Sequence, residues 1–149
     1  MDTVAVSRSN GDELQIWGFG SFENEAALNW VEGLEDADDL QMVEETLDEV
    51  LAADERGDVP DPGASARAIA AAETVAALSE QPAKALPEEI RQWCFDNPSH
   101  DLDEAQPKAM HALGVILSES GLRDVLEVSG IADDWESEVE ELRDRLRAG

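Results

Sequence analysis

The stretch Ala66-Arg67-Ala68-Ile69-Ala70-Ala71-Ala72-Glu73-Thr74-Val75-Ala76-Ala77-Leu78 decides the fold. Side chains this small let neighbouring helices approach closely, so the spacing predicts a helix over 66–78 at the centre of a bundle. Ser65 is the expected cap, and Gln81-Pro82 ends the neighbourhood of the helix. On the N-terminal side, Asp54–Gly63 carries two prolines and two glycines and reads as a linker.

Apolar residues recur at helical spacing on both sides of this stretch. Ala27, Trp30, Val31 and Leu34 mark a helix over 24–34, with Ser21 or Asn24 as its cap. Leu40, Val43, Leu47, Val50 and Leu51 mark a second over 38–53. Its opposite face carries Glu44, Glu45, Asp48 and Glu49, like charges that cost roughly a few tenths of a kcal/mol per pair in low salt. Pro87, followed by Glu88 and Glu89, opens a helix that ends near Phe95. Met110, Leu113, Ile116 and Leu117 belong to another, with Pro107 near its first turn and Gly121 as its stop. A short helix over 122–128 closes at Gly130. The last runs from Ile131 or Asp133 to Arg147 with Trp135, Val139, Leu142 and Leu146 on one side. The expected architecture is all-α: a compact bundle of six to seven helices over 17–149, as one domain. Residues 1–16 stand apart as an N-terminal extension. Asn10-Gly11 between two alternating apolar runs reads either as a short β-hairpin or as a loose tail.

Composition narrows function. The 149 residues carry 36 Asp plus Glu against 10 Lys plus Arg, a net charge of −26. Such a chain repels nucleic acid and anionic membrane, which both need cationic contacts. It attracts cations and basic proteins. Acid spread over every segment, with only Lys84 and Lys108 as lysines, also suits a high-salt cytoplasm. With one cysteine, Cys94, the chain has no internal disulfide. No signal peptide and no run of ~20 apolar residues is legible, so a cytoplasmic location is expected.

The segment Trp17-Gly18-Phe19-Gly20-Ser21-Phe22-Glu23-Asn24-Glu25-Ala26-Ala27 resembles the opening W-G-x-G-x-F-x-N-D-x-A pattern of an uncharacterised prokaryotic family, domain of unknown function 4259. Ala70–Leu78 is similar to that family's Ala-rich A-A-A-E-V-V-A-A helix. Val115-Ile116-Leu117-Ser118-Glu119 is similar to its V-L-x-x-x-S-E stretch, with shortened spacing, and Trp135 before the last helix also fits. The chain departs in having Glu25 in place of Asp, in residues 1–16, and in Ser120-Gly121 before Leu122. The resemblance implies a compact helical domain and brings no activity with it.

The chemistry-bearing candidates are few. Glu-x-x-His, HExxH and a complete EF-hand loop are absent, so no metal or cofactor is expected. No Gly-x-Ser-x-Gly elbow is present. Cys94, between Trp93 and Phe95, reads as an inert core thiol, and His111 as a satisfied structural histidine. The Gly18-Phe19-Gly20 turn reads as an aromatic latch, in which Trp17, Phe19 and Phe22 cover the core edge. Glu73 is the residue to watch, because an unpaired carboxylate in so apolar a helix costs several kcal/mol when buried. It faces solvent, or it is a structural tie to the glycine loop or to an arginine such as Arg91, or it is a base or ligand group.

Two functional expectations follow, beside a housekeeping domain whose acidity only reflects salt. The first is a non-catalytic protein-interaction module for a basic partner. The second is a small enzyme or ligand binder whose pocket gathers Trp17, Asn24, Glu25, Glu73 and Glu119. The expectation leans to the first, hence to no enzyme. The oligomeric state is not written in the sequence.

Overall fold

The computed structural model describes residues 4–5, 15–16, 18, 20–98 and 101–148. Among these there are seven helices: α1 (Glu25–Leu34), α2 (Gln41–Glu55), α3 (Pro62–Leu78), α4 (Glu88–Asp96), α5 (Ala105–Ser118), α6 (Gly121–Ser129) and α7 (Ala132–Ala148). Two two-residue strands, β1 (Val4–Ala5) and β2 (Gln15–Ile16), pair antiparallel with Val4 opposite Ile16. The Asn10-Gly11 turn lies outside the described residues, and a ladder of two residues does not support a hairpin as a unit. The fold is all-α.

The alanine-rich helix takes the central place. α3 packs against each of the other six helices, and Ala64, Ala66, Ala68, Ala70, Ala71, Ala72 and Ala76 are all buried. Neighbours contribute the large side chains that fill the space small residues leave open. Leu34 of α1, Leu47 of α2, Ile90 of α4, Leu113 and Ile116 of α5, and Leu142 and Leu146 of α7 are fully buried around it. Burying such a side chain stabilises the fold by about 1.5–3 kcal/mol. Three tryptophans seal the rim. Trp30 donates its indole N–H to Thr46 (2.8 Å) and Trp93 to the carbonyl of Ala37 (2.8 Å), while Trp135 is buried beside α6.

Two boundaries differ from the sequence reading, each for a local reason. α3 begins at Pro62, four residues before the expected start. Proline lacks the N–H that a first-turn position would leave unused, and Asp61 caps the end by accepting from Ala64 N–H at 2.7 Å. Ser65 therefore sits inside the first turn and donates to the Asp61 carbonyl. Gly121 does not stop α5. It opens α6, which Ser120 caps by accepting from Arg123 N–H at 3.1 Å. Gly121 is small because α6 begins against the start of α3. Its N–H donates to the Pro60 carbonyl at 2.7 Å, and a Cβ there would lie 2.7 Å from Pro62 Cδ. α5 tolerates Pro107 because it falls in the first turn, after Ala105 and Gln106.

Candidate functional site

Glu73 is held as a tie. Its side chain is 4% exposed and lies 3.1 Å from Arg145 Nη1, through Oε1. Its Oε2 accepts a 2.6 Å hydrogen bond from the Ser21 hydroxyl and a 3.3 Å bond from Arg145 Nη2. The partner arginine is not Arg91, which lies 4.0 Å from Glu88 on the surface. Arg145 also donates to Glu141 at 2.8 Å and to the Gln81 carbonyl at 3.0 Å. One guanidinium thus joins α7 to α3 and to the segment leaving α3. Burial works against the Arg145 charge, but Glu141 and Glu73 outweigh it and raise its pKa.

The glycine loop closes over this tie. Glu23 folds back so that its carboxylate accepts from Gly20 N–H at 2.9 Å. A Cβ on Gly18 would lie 2.3 Å from Glu23 Oε1. The glycines therefore leave room for a carboxylate, and Ser21 comes from the same loop to reach Glu73. Phe22 packs, half-buried, against the core. Trp17 and Phe19, the other two members of the expected latch, lie outside the described residues.

Among the described candidates, Asn24, Glu25 and Glu119 do not line the groove that Glu73 borders. Asn24 caps α1, with Oδ1 accepting from Ala27 N–H at 2.8 Å, and borders a water-sized cavity of about 10 Å³. Glu25 is exposed in the first turn of α1, and Glu119 is exposed at the end of α5. Of the described candidates, Glu73 alone lines the open groove between the glycine loop, residues 82–85 and α7. There its carboxylate is already engaged by Ser21 and Arg145. His111 is exposed and so is not the satisfied structural histidine of the sequence reading. Cys94 is half-buried, and burial pushes its thiol up to about 11, which fits an unreactive cysteine.

A different face concentrates charge. Two clefts adjoin across Trp93, with volumes of about 440 and 510 Å³. Glu35, Glu88 and Glu89 border one; Asp38 and Asp39 border the other; Asp96 borders both. No lysine or arginine among the described residues lines either cleft. Arg91 reaches one of these carboxylates, Glu88, at 4.0 Å from the surface; Lys108 pairs with Glu44 and Asp48, Arg123 with Glu127 and Glu136, and Arg67 with Glu49. This face escaped the sequence reading because its acids come from the α1–α2 connection and from α4, more than a third of the chain apart between Glu35 and Asp96. The only legible signal was Glu88-Glu89 at the start of α4, which served as a helix-start cue.

Residues 15–138 match the profile of the family described as domain of unknown function DUF4259. The chain belongs to that family. The match begins at β2 and runs into α7, so the DUF4259 region spans the glycine loop, the whole of α3 and the acid-lined clefts. Arg145 lies just beyond it. No curated protein and no solved structure matches the chain. Among the described residues no helix is long and apolar enough to cross a membrane.

Proposed function

We propose that this DUF4259 protein is a non-catalytic interaction module that docks a basic segment of another protein on the face around Trp93. The observation that carries the reading is the pair of adjoining clefts bordered by Glu35, Asp38, Asp39, Glu88, Glu89 and Asp96. Each cleft has room for a long cationic side chain, whose methylene stem packs on Trp93 while its head meets carboxylates. The net charge of −26 steers such a partner in at low salt. Cytoplasmic residence is part of the same proposal, since the lone free thiol of Cys94 suits a reducing compartment.

A second reading has its own observation. Exposed acid also lies outside the lining of the clefts, such as Glu45, Glu49, Asp54 and Glu55 on α2. A charge that serves only hydration in a salty cytoplasm has that even spread.

The two are separated by titrating a lysine-rich peptide into the protein at low salt, followed by tryptophan fluorescence. Neutralising Asp38, Asp39, Glu88 and Glu89 to the amides is compared with neutralising Glu45, Glu49, Asp54 and Glu55. Docking at the clefts predicts a loss of affinity of roughly tenfold or more for the first set, because close charge pairs outweigh distant ones. Equal, small losses for both sets would favour the second reading.

A further inference from the structure

Phe95 on α4 is 81% exposed. It stands seven residues after Glu88, two helical turns away on the same side of α4. Glu88 borders the first cleft, and Gln92 and Asp96, either side of Phe95, border it too. A large aromatic ring therefore sits in water at the edge of an acidic face, one turn after Arg91, which pairs with Glu88 at 4.0 Å. Elsewhere in the described chain large aromatics are covered: Trp30, Trp93 and Trp135 are buried and Phe22 is half-buried. A ring left in water beside a charged cleft contributes nothing to the fold. Covered by a partner, it contributes as interface aromatics do, by desolvation at the centre of a ring of polar contacts.

Resting on the docking reading above, we infer that Phe95 is the apolar anchor of that face, and that the partner segment is an amphipathic cationic helix rather than any polycation. Such a helix presents leucine-like residues on one side to cover Phe95. Its lysines or arginines, to one side of that strip, reach Glu88, Glu89 and Asp96, which all lie on one side of Phe95 around α4. Electrostatics alone would bring in any basic chain; the exposed ring adds a preference that depends on the order of residues and not on their charge.

The test uses two synthetic peptides of identical Lys/Leu composition, one with leucines at helical spacing and one scrambled. Each is titrated by calorimetry into the full chain and into Phe95→Ser, a change at a site so exposed that folding is unaffected, as circular dichroism would verify. The full chain is expected to bind the helical peptide about tenfold more tightly than the scrambled one, a difference of the size one anchoring aromatic makes. Phe95→Ser is expected to bind both at the scrambled peptide's affinity. Equal binding of the two peptides by the full chain, or a preference that survives Phe95→Ser, overturns the inference while leaving the acidic docking face standing. Failure of both peptides to bind the full chain overturns the docking reading itself.

Discussion

Arg145 of α7 stands 3.1 Å from the buried carboxylate of Glu73 on α3, a partner 72 residues earlier in the chain. Neither group is free to relax into water, so removing one partner strands the other. Arg145→Met leaves the carboxylate with only Ser21, and is expected to cost about 3 kcal/mol. Glu73→Gln is milder, about 2 kcal/mol, because Arg145 keeps Glu141 and Gln81 and Ser21 keeps an oxygen to bond. Urea unfolding of the two single variants and the double variant checks this: the double should cost clearly less than the sum.

Gly121→Ala tests the close approach of α6 to α3. In an ordinary helical position alanine is better than glycine by about 1 kcal/mol. Here the added Cβ would lie 2.7 Å from Pro62 Cδ and 3.0 Å from Pro62 N, which is backbone and cannot swing aside. The expected result is a destabilisation of about 1–3 kcal/mol, opposite in sign to propensity. A gain in the unfolding midpoint would mean that the two helix starts separate easily.

Glu80 is the one non-glycine residue among those described with a positive φ, +67°. It follows α3, where Gln81 N–H returns to the Ala76 carbonyl at 2.8 Å and Glu80 N–H to that of Ala77 at 3.0 Å. This ending favours glycine at the left-handed position, and α2 and α6 end at Gly57 and Gly130 with φ of +80° and +81°. Glu80→Gly is therefore expected to stabilise the protein by about 0.5–1 kcal/mol in thermal or urea unfolding. It also removes one exposed negative charge.

Cys94 offers a pH-dependent readout. Burial raises its pKa from 9.0 to about 11, so at pH 8 far less thiolate is present than on an unfolded chain. Alkylation by iodoacetamide in the native state is expected to be slow at pH 8 and to accelerate up to about pH 11. The stability term has the sign of a raised acid: present in full below pH 9 and lost as pH climbs through the folded pKa. Native alkylation with a midpoint near 9 would show the thiol to be open to water.

Much of the bundle was legible because its signal is local. Trp30, Leu47, Leu113 and Leu142 each belong to an apolar stripe, and small side chains marked α3 as the helix that others surround. The misread boundaries involve residues with two meanings. Pro62 breaks a helix from within but starts one at its first position, and Gly121 ends many helices yet here lets one begin against another. The site was less legible because its pairings cross the bundle. Glu73 was recognised as costly when buried, but its partner sits 72 residues away among the cations that also suit the end of α7. The acids around Trp93 reach one face only because α4 folds beside the α1–α2 connection, and no spacing along the chain reports that.

Salt decides how the acidity of the whole chain is borne. With a net charge of −26, self-repulsion opposes the compact state. The ion pairs described are mostly exposed and contribute little individually. Raising KCl from ~0.1 to ~2 M shortens the screening length from about 10 Å to about 2 Å. The Tm is therefore expected to rise, by about 3 °C for each kcal/mol of repulsion relieved in a chain of this size. Neutralising Glu45, Glu49, Asp54 and Glu55 on α2 should reproduce part of that rise at low salt and leave less for KCl to add. A Tm that is flat in KCl, and equally flat in that variant, would mean that the fold already offsets its own charge. The acid around Trp93 would then have no environmental cause, which would favour the proposed docking of a cationic partner there.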